Sequence, residues 1–65
     1  MENNIKQLRR ERGLSQQELA DRCHVTRQTI NAIENCKYDP TLALAFRLAA
    51  ELGASVDTLF IYKEE

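Results

Sequence analysis

Hydrophobic residues at helical spacing mark two short segments near the middle of the chain. Leu19, Ala20 and Cys23 form a narrow apolar stripe on a segment of about eight residues. Ile30 and Ile33 mark the inward face of the next segment. Residues 16–34 therefore predict two amphipathic helices joined by a tight turn.

Capping residues set the boundaries of these helices. Ser15 and Glu18 have the spacing of a capping box, which predicts that the second helix begins directly after Ser15. Thr26 is the expected N-cap of the third helix. A first helix is predicted from about residue 4 to residue 12, because Gly13 follows as a helix-ending glycine.

The rest of the chain predicts two further helices. Thr41 and Gly53 are expected to bound a fourth helix, and Ser55 is expected to cap a fifth that runs to about Phe60. The fourth helix has a broad apolar face that we expect to pack inward, comprising Leu42, Ala45, Phe46, Leu48, Ala49 and Leu52. Five helices with short connections predict a compact all-α fold, with residues 1–65 as a single domain.

The formal net charge of −1 conceals an asymmetry along the chain. Residues 1–38 contain seven Lys or Arg and five Asp or Glu, a net charge of +2, whereas residues 39–65 contain two and five, a net charge of −3. A basic surface is the usual electrostatic footprint of a nucleic-acid-binding protein. The half with the two amphipathic helices is therefore the half suited to DNA, although +2 predicts only modest, salt-sensitive attraction.

Polar side chains occupy the outward side of the third helix. Gln28 and Asn35 lie opposite the apolar stripe, Asn31 flanks them, and Arg27 lies near the helix start. Such a face is either solvated surface or a surface that reads bases. Arg can fork onto guanine O6 and N7, and Asn or Gln can pair with adenine N6 and N7, each worth about 1 to 3 kcal/mol of discrimination. Its position after a capped helix and a tight turn favours a helix-turn-helix DNA reader.

Other function classes find little support in the residues. There is no nucleophile-base arrangement, no Gly-rich phosphate loop and only one histidine, so we expect no enzyme activity and no cofactor. Cys23 and Cys36 lack metal-ligand spacing, and no small-molecule ligand is indicated. No hydrophobic run approaches the roughly 20 residues that span a bilayer, and the first residues do not resemble a signal peptide. These features predict a cytoplasmic protein without a membrane partner.

The pattern from Ile5 to Phe60 resembles the small lambda-repressor-like, or xenobiotic-response-element, regulators. The matching motifs are I-x-x-L-R, G-L-S-Q, E-L-A, V-T-R-Q-T-I-N-A-I-E and K-Y-D-P-T-L. The chain is most similar to a compact subgroup that includes the cytolysin repressor. This resemblance implies a five-helix lambda-repressor-like DNA-binding fold, a homodimer, and a small β element built from the chain ends.

The resemblance also implies roles for individual residues. The base-reading residues are Arg27, Gln28 and Asn31. The residues that position the DNA backbone are Ser15, Gln16, Thr26, Asn35 and Lys37. Arg9 and Glu34 correspond to a salt bridge that ties the first helix to the end of the third.

Three residues depart from the family pattern. His24 and Cys36 stand where glycine is common, and a non-Gly residue at positive φ costs about 1 kcal/mol. Cys23 replaces a usual leucine and is expected to be a small core residue. His24 as a pH sensor and Cys36 as a redox site are open alternatives to the simpler view that both residues are tolerated.

The apolar tail Phe60, Ile61 and Tyr62 has two interpretations: it folds back on its own domain, or residues 60–65 form a dimerisation tail.

We expect a sequence-specific transcriptional regulator, acting as a repressor on a near-palindromic double-stranded operator. A homodimer would place the two half-sites about one helical turn, roughly 34 Å, apart. Activation by direct contact is an open alternative to repression, and the alternative function is a protein-interaction module such as an antitoxin or anti-repressor.

Overall fold

A computed structural model describes residues 1–63 of the chain, which form five helices and a two-stranded sheet. The helices are α1 (Ile5–Glu11), α2 (Gln16–Cys23), α3 (Arg27–Glu34), α4 (Leu42–Leu52) and α5 (Val56–Leu59). The strands β1 (Glu2–Asn3) and β2 (Phe60–Ile61) pair antiparallel. The predicted helical fold with a small β element from the chain ends is confirmed. Residues 64 and 65 of the predicted tail lie outside the described residues.

Side-chain caps begin four of the helices. Ser15 Oγ accepts the Glu18 amide at 3.0 Å, and Glu18 Oε1 accepts the Ser15 amide at 3.0 Å, which completes the predicted capping box. The hydrogen bond from the Ser15 backbone amide lowers the pKa of the Glu18 carboxyl, and the interaction with the Ser15 hydroxyl lowers this pKa to a smaller extent. The predicted N-cap residues of α3, α4 and α5 each accept an amide of the first turn: Thr26, Thr41 and Ser55. These bonds satisfy donors that helix geometry leaves without partners.

The helices enclose a core of buried apolar side chains, among them Ile5, Leu19, Ala20, Cys23, Ile30, Ile33, Leu44, Ala45, Leu48, Ala49, Leu52, Leu59 and Phe60. Cys23 is fully buried, as expected of a small core residue. Leu14 and Val25 pack against this core while remaining partly exposed.

The inward face predicted for α4 is partly wrong. Leu42 and Phe46 are 71% and 59% exposed, whereas Leu44 is buried. At 100° per residue, the strip that faces the core contains Leu44 and the residue four positions later, while Leu42 and Phe46 share a strip that points away. Because α4 is apolar around most of its circumference, periodicity alone did not identify the core side.

The chain ends are fastened to the rest of the fold. The Asn4 amide donates to Leu59 O at 2.8 Å, and Asn3 Nδ2 donates to Ile33 O at 2.8 Å at the end of α3. The fifth helix stops at Leu59, one residue earlier than predicted, because Phe60 is extended and pairs with Asn3. Phe60 is also only 8% exposed, so its side chain folds back on its own domain, as the first of the two interpretations of the tail predicted.

A buried ion pair joins α1 to α3. Arg9 Nε donates to Glu34 Oε2 at 2.7 Å and Arg9 Nη2 donates to Oε1 at 3.2 Å, with the two side chains 9% and 2% exposed. Arg9 Nη1 also donates to Leu14 O at 2.8 Å, in the turn before α2. The pair that the resemblance implied is thus present and connects three parts of the fold.

Two residues occupy the left-handed region where glycine is favoured. His24 has φ 59° directly after α2, and Cys36 has φ 60° after α3. These are the two positions at which the resemblance led us to expect glycine, and both side chains are exposed. Each therefore pays the steric cost of an L residue in this conformation.

We expect Glu34→Ala to lower the free energy of unfolding by about 3 to 5 kcal/mol, because it leaves the Arg9 guanidinium buried without its counter-charge. Urea denaturation measures the loss. Glu51→Ala is the matched control, since its ion pair with Arg22 spans 3.7 Å between more exposed side chains and should contribute less than about 1 kcal/mol. A Glu34→Ala loss no larger than that of the control would contradict a structural role for the pair.

Cys36→Gly should stabilise the fold by about 0.5 to 1 kcal/mol, because glycine adopts positive φ without the Cβ clash, partly offset by its greater unfolded-state entropy. For a chain of this size, thermal denaturation should register the gain as a rise of several degrees in Tm. Cys36→Ala is the control, since it removes the thiol and retains the Cβ. Equal melting temperatures for the two variants would show that backbone strain at this position is negligible.

Candidate nucleic-acid interface

The turn between α2 and α3 fixes the orientation of α3 relative to α2. His24 reverses the chain in the left-handed conformation, and the Val25 amide then donates to Ala20 O at 3.0 Å. Val25 packs against the core between the two helices. Thr26 follows in extended conformation and starts α3. The angle between α2 and α3 is therefore set by backbone bonds and by one apolar side chain.

Helix α3 has one buried and one exposed side. Ile30 and Ile33 are almost fully buried, whereas Arg27, Gln28 and Asn31 are exposed. Within the part of the chain that the structure describes, the side chains of Arg27 and Gln28 take part in no hydrogen bond or ion pair. Both are thus available to bind a ligand in any rotamer that α3 allows.

Asn31 differs from the other two predicted readers because neighbouring amides hold it. Gln16 Nε2 donates to Asn31 Oδ1 at 3.2 Å and to Glu34 Oε1 at 3.1 Å. Asn35 Nδ2 donates to the Asn31 backbone carbonyl at 2.9 Å and to Asn31 Oδ1 at 3.1 Å. Helical periodicity and the family resemblance did not predict this network. The spacing of Asn31 and Asn35 could have suggested their contact, but nothing local links Gln16 to them.

The residues predicted to contact phosphates fall into two groups. Ser15 and Thr26 lie at the starts of α2 and α3, where exposed backbone N–H groups favour anions, and Lys37 is exposed after α3. The side-chain amides of Gln16 and Asn35 instead donate within the fold. A phosphate contact at Gln16 would therefore use its backbone N–H, and these phosphate roles all stay predictions.

A second exposed surface is apolar and lies between α4, α5 and the chain ends. One groove there is lined by Met1, Phe46, Val56, Phe60 and Tyr62, together with small residues of α4 and of the turn that follows it and with Asp57 of α5. An adjoining groove includes Leu42 and again Met1, Val56 and Phe60. We refer to Met1, Leu42, Phe46 and Tyr62 as the apolar surface. Ile61, 40% exposed, lies beside it, and Tyr62 is 75% exposed.

Residues 1–63 contain no helix that is both long enough and apolar enough to pass through a membrane. No three His, Cys, Asp or Glu side chains of these residues lie close enough together to hold a metal ion.

Comparison with known proteins identifies relatives of the whole chain. A family model described as helix-turn-helix, HTH_3, matches residues 5–59. An HTH-type transcriptional regulator of Methanocaldococcus jannaschii is 45% identical over 65 residues, covering 100% of this chain and 98% of the relative.

Solved structures show the same fold. The N-terminal DNA-binding domain of SinR from Bacillus subtilis matches with a TM-score of 0.81 and 35% identity, covering 95% of this chain and 91% of that one. A crystal structure of SinR, the master regulator for biofilm formation, in complex with DNA matches with a TM-score of 0.76 and 36% identity, covering 85% and 89%. These relatives are regulators and not enzymes, as the sequence predicted. The chain belongs to the helix-turn-helix family HTH_3 of DNA-binding transcriptional regulators.

Proposed function

We propose that this protein is a sequence-specific transcriptional repressor that inserts α3 into the major groove of its operator. The observation that supports this most directly is the exposed pair Arg27 and Gln28, which have no partners within residues 1–63 on a helix whose opposite side is buried. Arg, Gln and Asn are the residue types that read base edges in the major groove, and Asn31 completes the set one turn further along α3.

Contacts to the DNA backbone would hold α3 in register. We assign these to Ser15 and Thr26 at the helix starts and to Lys37 after α3, with Gln16 and Asn35 contributing through backbone groups or by supporting Asn31. Lys37 is exposed, and in the described part of the chain its ammonium takes part in no ion pair. Its contribution would be to affinity for any DNA sequence, because phosphates do not encode sequence.

We further propose that the protein acts as a homodimer through the apolar surface, flanked by Ile61, with Phe60 packed beneath it. Aromatic side chains bury roughly 150 to 250 Å² each when fully covered, and Phe46 and Tyr62 still expose 59% and 75% of theirs. On two protomers they would supply about half of the roughly 1,000 Å² that a specific interface needs, and Met1 and Leu42 would add to that area. A two-fold dimer implies a near-palindromic operator with half-sites about one helical turn apart.

We propose that the protein belongs to the compact cytolysin-repressor-type subgroup, because its two terminal strands pair as expected for that subgroup. We propose residues 1–65 as one DNA-binding domain in the cytoplasm, where a bacterial or archaeal chromosome is accessible. Repression is the proposed output because blocking a promoter requires nothing beyond DNA binding. The same apolar surface is the one observation that favours the alternative, an interaction module that binds another protein.

Arg27→Ala and Gln28→Ala are each expected to weaken binding to the selected operator roughly 5- to 150-fold, the equivalent of about 1 to 3 kcal/mol for a base contact. Fluorescence anisotropy with operator duplexes measures this loss. Thermal stability should change by no more than about 0.5 kcal/mol, since both side chains are exposed and unbonded.

Arg12→Ala is the charge-matched control for Arg27→Ala. The Arg12 guanidinium lies against Gly53 at the end of α4, so this variant removes the same charge without touching α3. Equal losses of affinity for the two variants would indicate general electrostatic attraction and would remove Arg27 from the set of base readers.

Phe46→Ser and Tyr62→Ser should convert a dimer to a monomer while leaving the helix content unchanged, because both side chains are mostly exposed in the protomer. Sedimentation equilibrium at micromolar concentration measures the change. Tyr38→Ser is the control, since Tyr38 is 47% exposed but lines neither groove of the apolar surface. A monomeric unmodified protein would overturn the homodimer and favour the interaction-module alternative.

A further inference from the structure

The orientation of the Asn31 amide follows from the groups around it. Glu34 is held by Arg9 and accepts from Gln16 Nε2, and a carboxylate in an ion pair can only accept. The Gln16 amide must therefore direct its nitrogen inward. Asn35 is fixed in the same way, because its Nδ2 donates to the Asn31 backbone carbonyl, which also can only accept.

Both nitrogens converge on one atom of the Asn31 side chain, at 3.2 Å from Gln16 and 3.1 Å from Asn35. Two donors fixed in this way require an acceptor between them, so that atom is Oδ1 and not the amide nitrogen. A carbonyl oxygen has two lone pairs, and these two bonds occupy both. The exposed part of Asn31 is then its NH₂ group, which makes no hydrogen bond within residues 1–63.

We infer that Asn31 presents DNA with donors only, and that it thereby selects guanine instead of adenine at the base pair it faces. This inference rests on the proposed function. Pairing with adenine requires an acceptor for N6–H₂ and a donor for N7, and Asn31 no longer offers the acceptor. Guanine presents two adjacent acceptors, O6 and N7, whereas thymine presents one acceptor beside a methyl group and cytosine presents a donor. Gln16 and Asn35 are positioning residues that act through Asn31.

The first test identifies the base pair that Asn31 reads. The full chain is used to select duplexes from random DNA, and affinities are then measured for single-base variants of the selected site. Asn31→Ala should abolish discrimination at one position, and the unmodified protein should prefer guanine there by roughly tenfold or more over adenine. A preference for any other base at that position, or unaltered discrimination at every position, would overturn the inference while leaving the proposed function intact. Failure to enrich any sequence would overturn both.

Two variants separate base reading from structural support. Asn31→Asp keeps an oxygen between Gln16 and Asn35 but replaces the outward NH₂ with an acceptor, so the guanine preference should be lost in favour of cytosine, which donates from N4. The double variant Gln16→Leu, Asn35→Ala removes both inward donors and frees the amide to rotate. For the double variant, the ratio of the dissociation constants for the adenine and guanine duplexes should fall from about ten to about one. An equal loss of affinity for both duplexes would leave this ratio unaffected. A guanine preference that persists in both variants would contradict this role for the network.

Discussion

The buried ion pair between Arg9 and Glu34 holds α1 against the end of α3. Both charged groups are almost completely removed from water, so removing either one would leave the other buried without a counter-charge, at a large cost in free energy. Arg9 reaches the turn before α2 as well as the end of α3, which fixes three elements with one side chain. Because desolvation offsets much of its attraction, the intact pair adds less net stability than is lost when one partner alone is removed.

The Arg9–Glu34 pair contributes no net charge to the basic half of the chain. The net charge of +2 for residues 1–38 therefore comes from the other charged residues of that half. So small a net charge predicts weak non-specific attraction to phosphates, so the proposed base contacts of α3 would have to supply most of the affinity for a specific site. A second copy of α3 would double the number of base contacts available. The exposed Phe46 and Tyr62, which are too large to leave without cost on so small a fold, lie where such a copy could be joined.

Much of this architecture follows from local sequence signals. Ser15, Thr26 and Gly53 set helix ends through short-range bonds or backbone conformation, so they are readable without any tertiary information. The side of α4 that faces the core was not readable, because Leu42 and Leu44 are equally apolar and only the packing of other helices distinguishes them. The three predicted readers do share the exposed side of α3, but the contact of Gln16 with Asn31 spans 15 positions and depends on the angle between α2 and α3.

The Asn31 network shows how a structural ion pair can determine the hydrogen-bonding character of a surface residue. Rotating the Asn31 amide to pair with adenine would break two bonds, each worth about 0.5 to 1.5 kcal/mol, and would bring its NH₂ group against two other NH₂ groups. That cost is similar to the 1 to 3 kcal/mol that a bidentate adenine contact supplies, so the rotated state gains little even on its best base. Donating outward to guanine requires no such rearrangement. The constraint begins at Glu34, which is paired with Arg9 and accepts from Gln16, and it reaches Asn31 through the Gln16 amide.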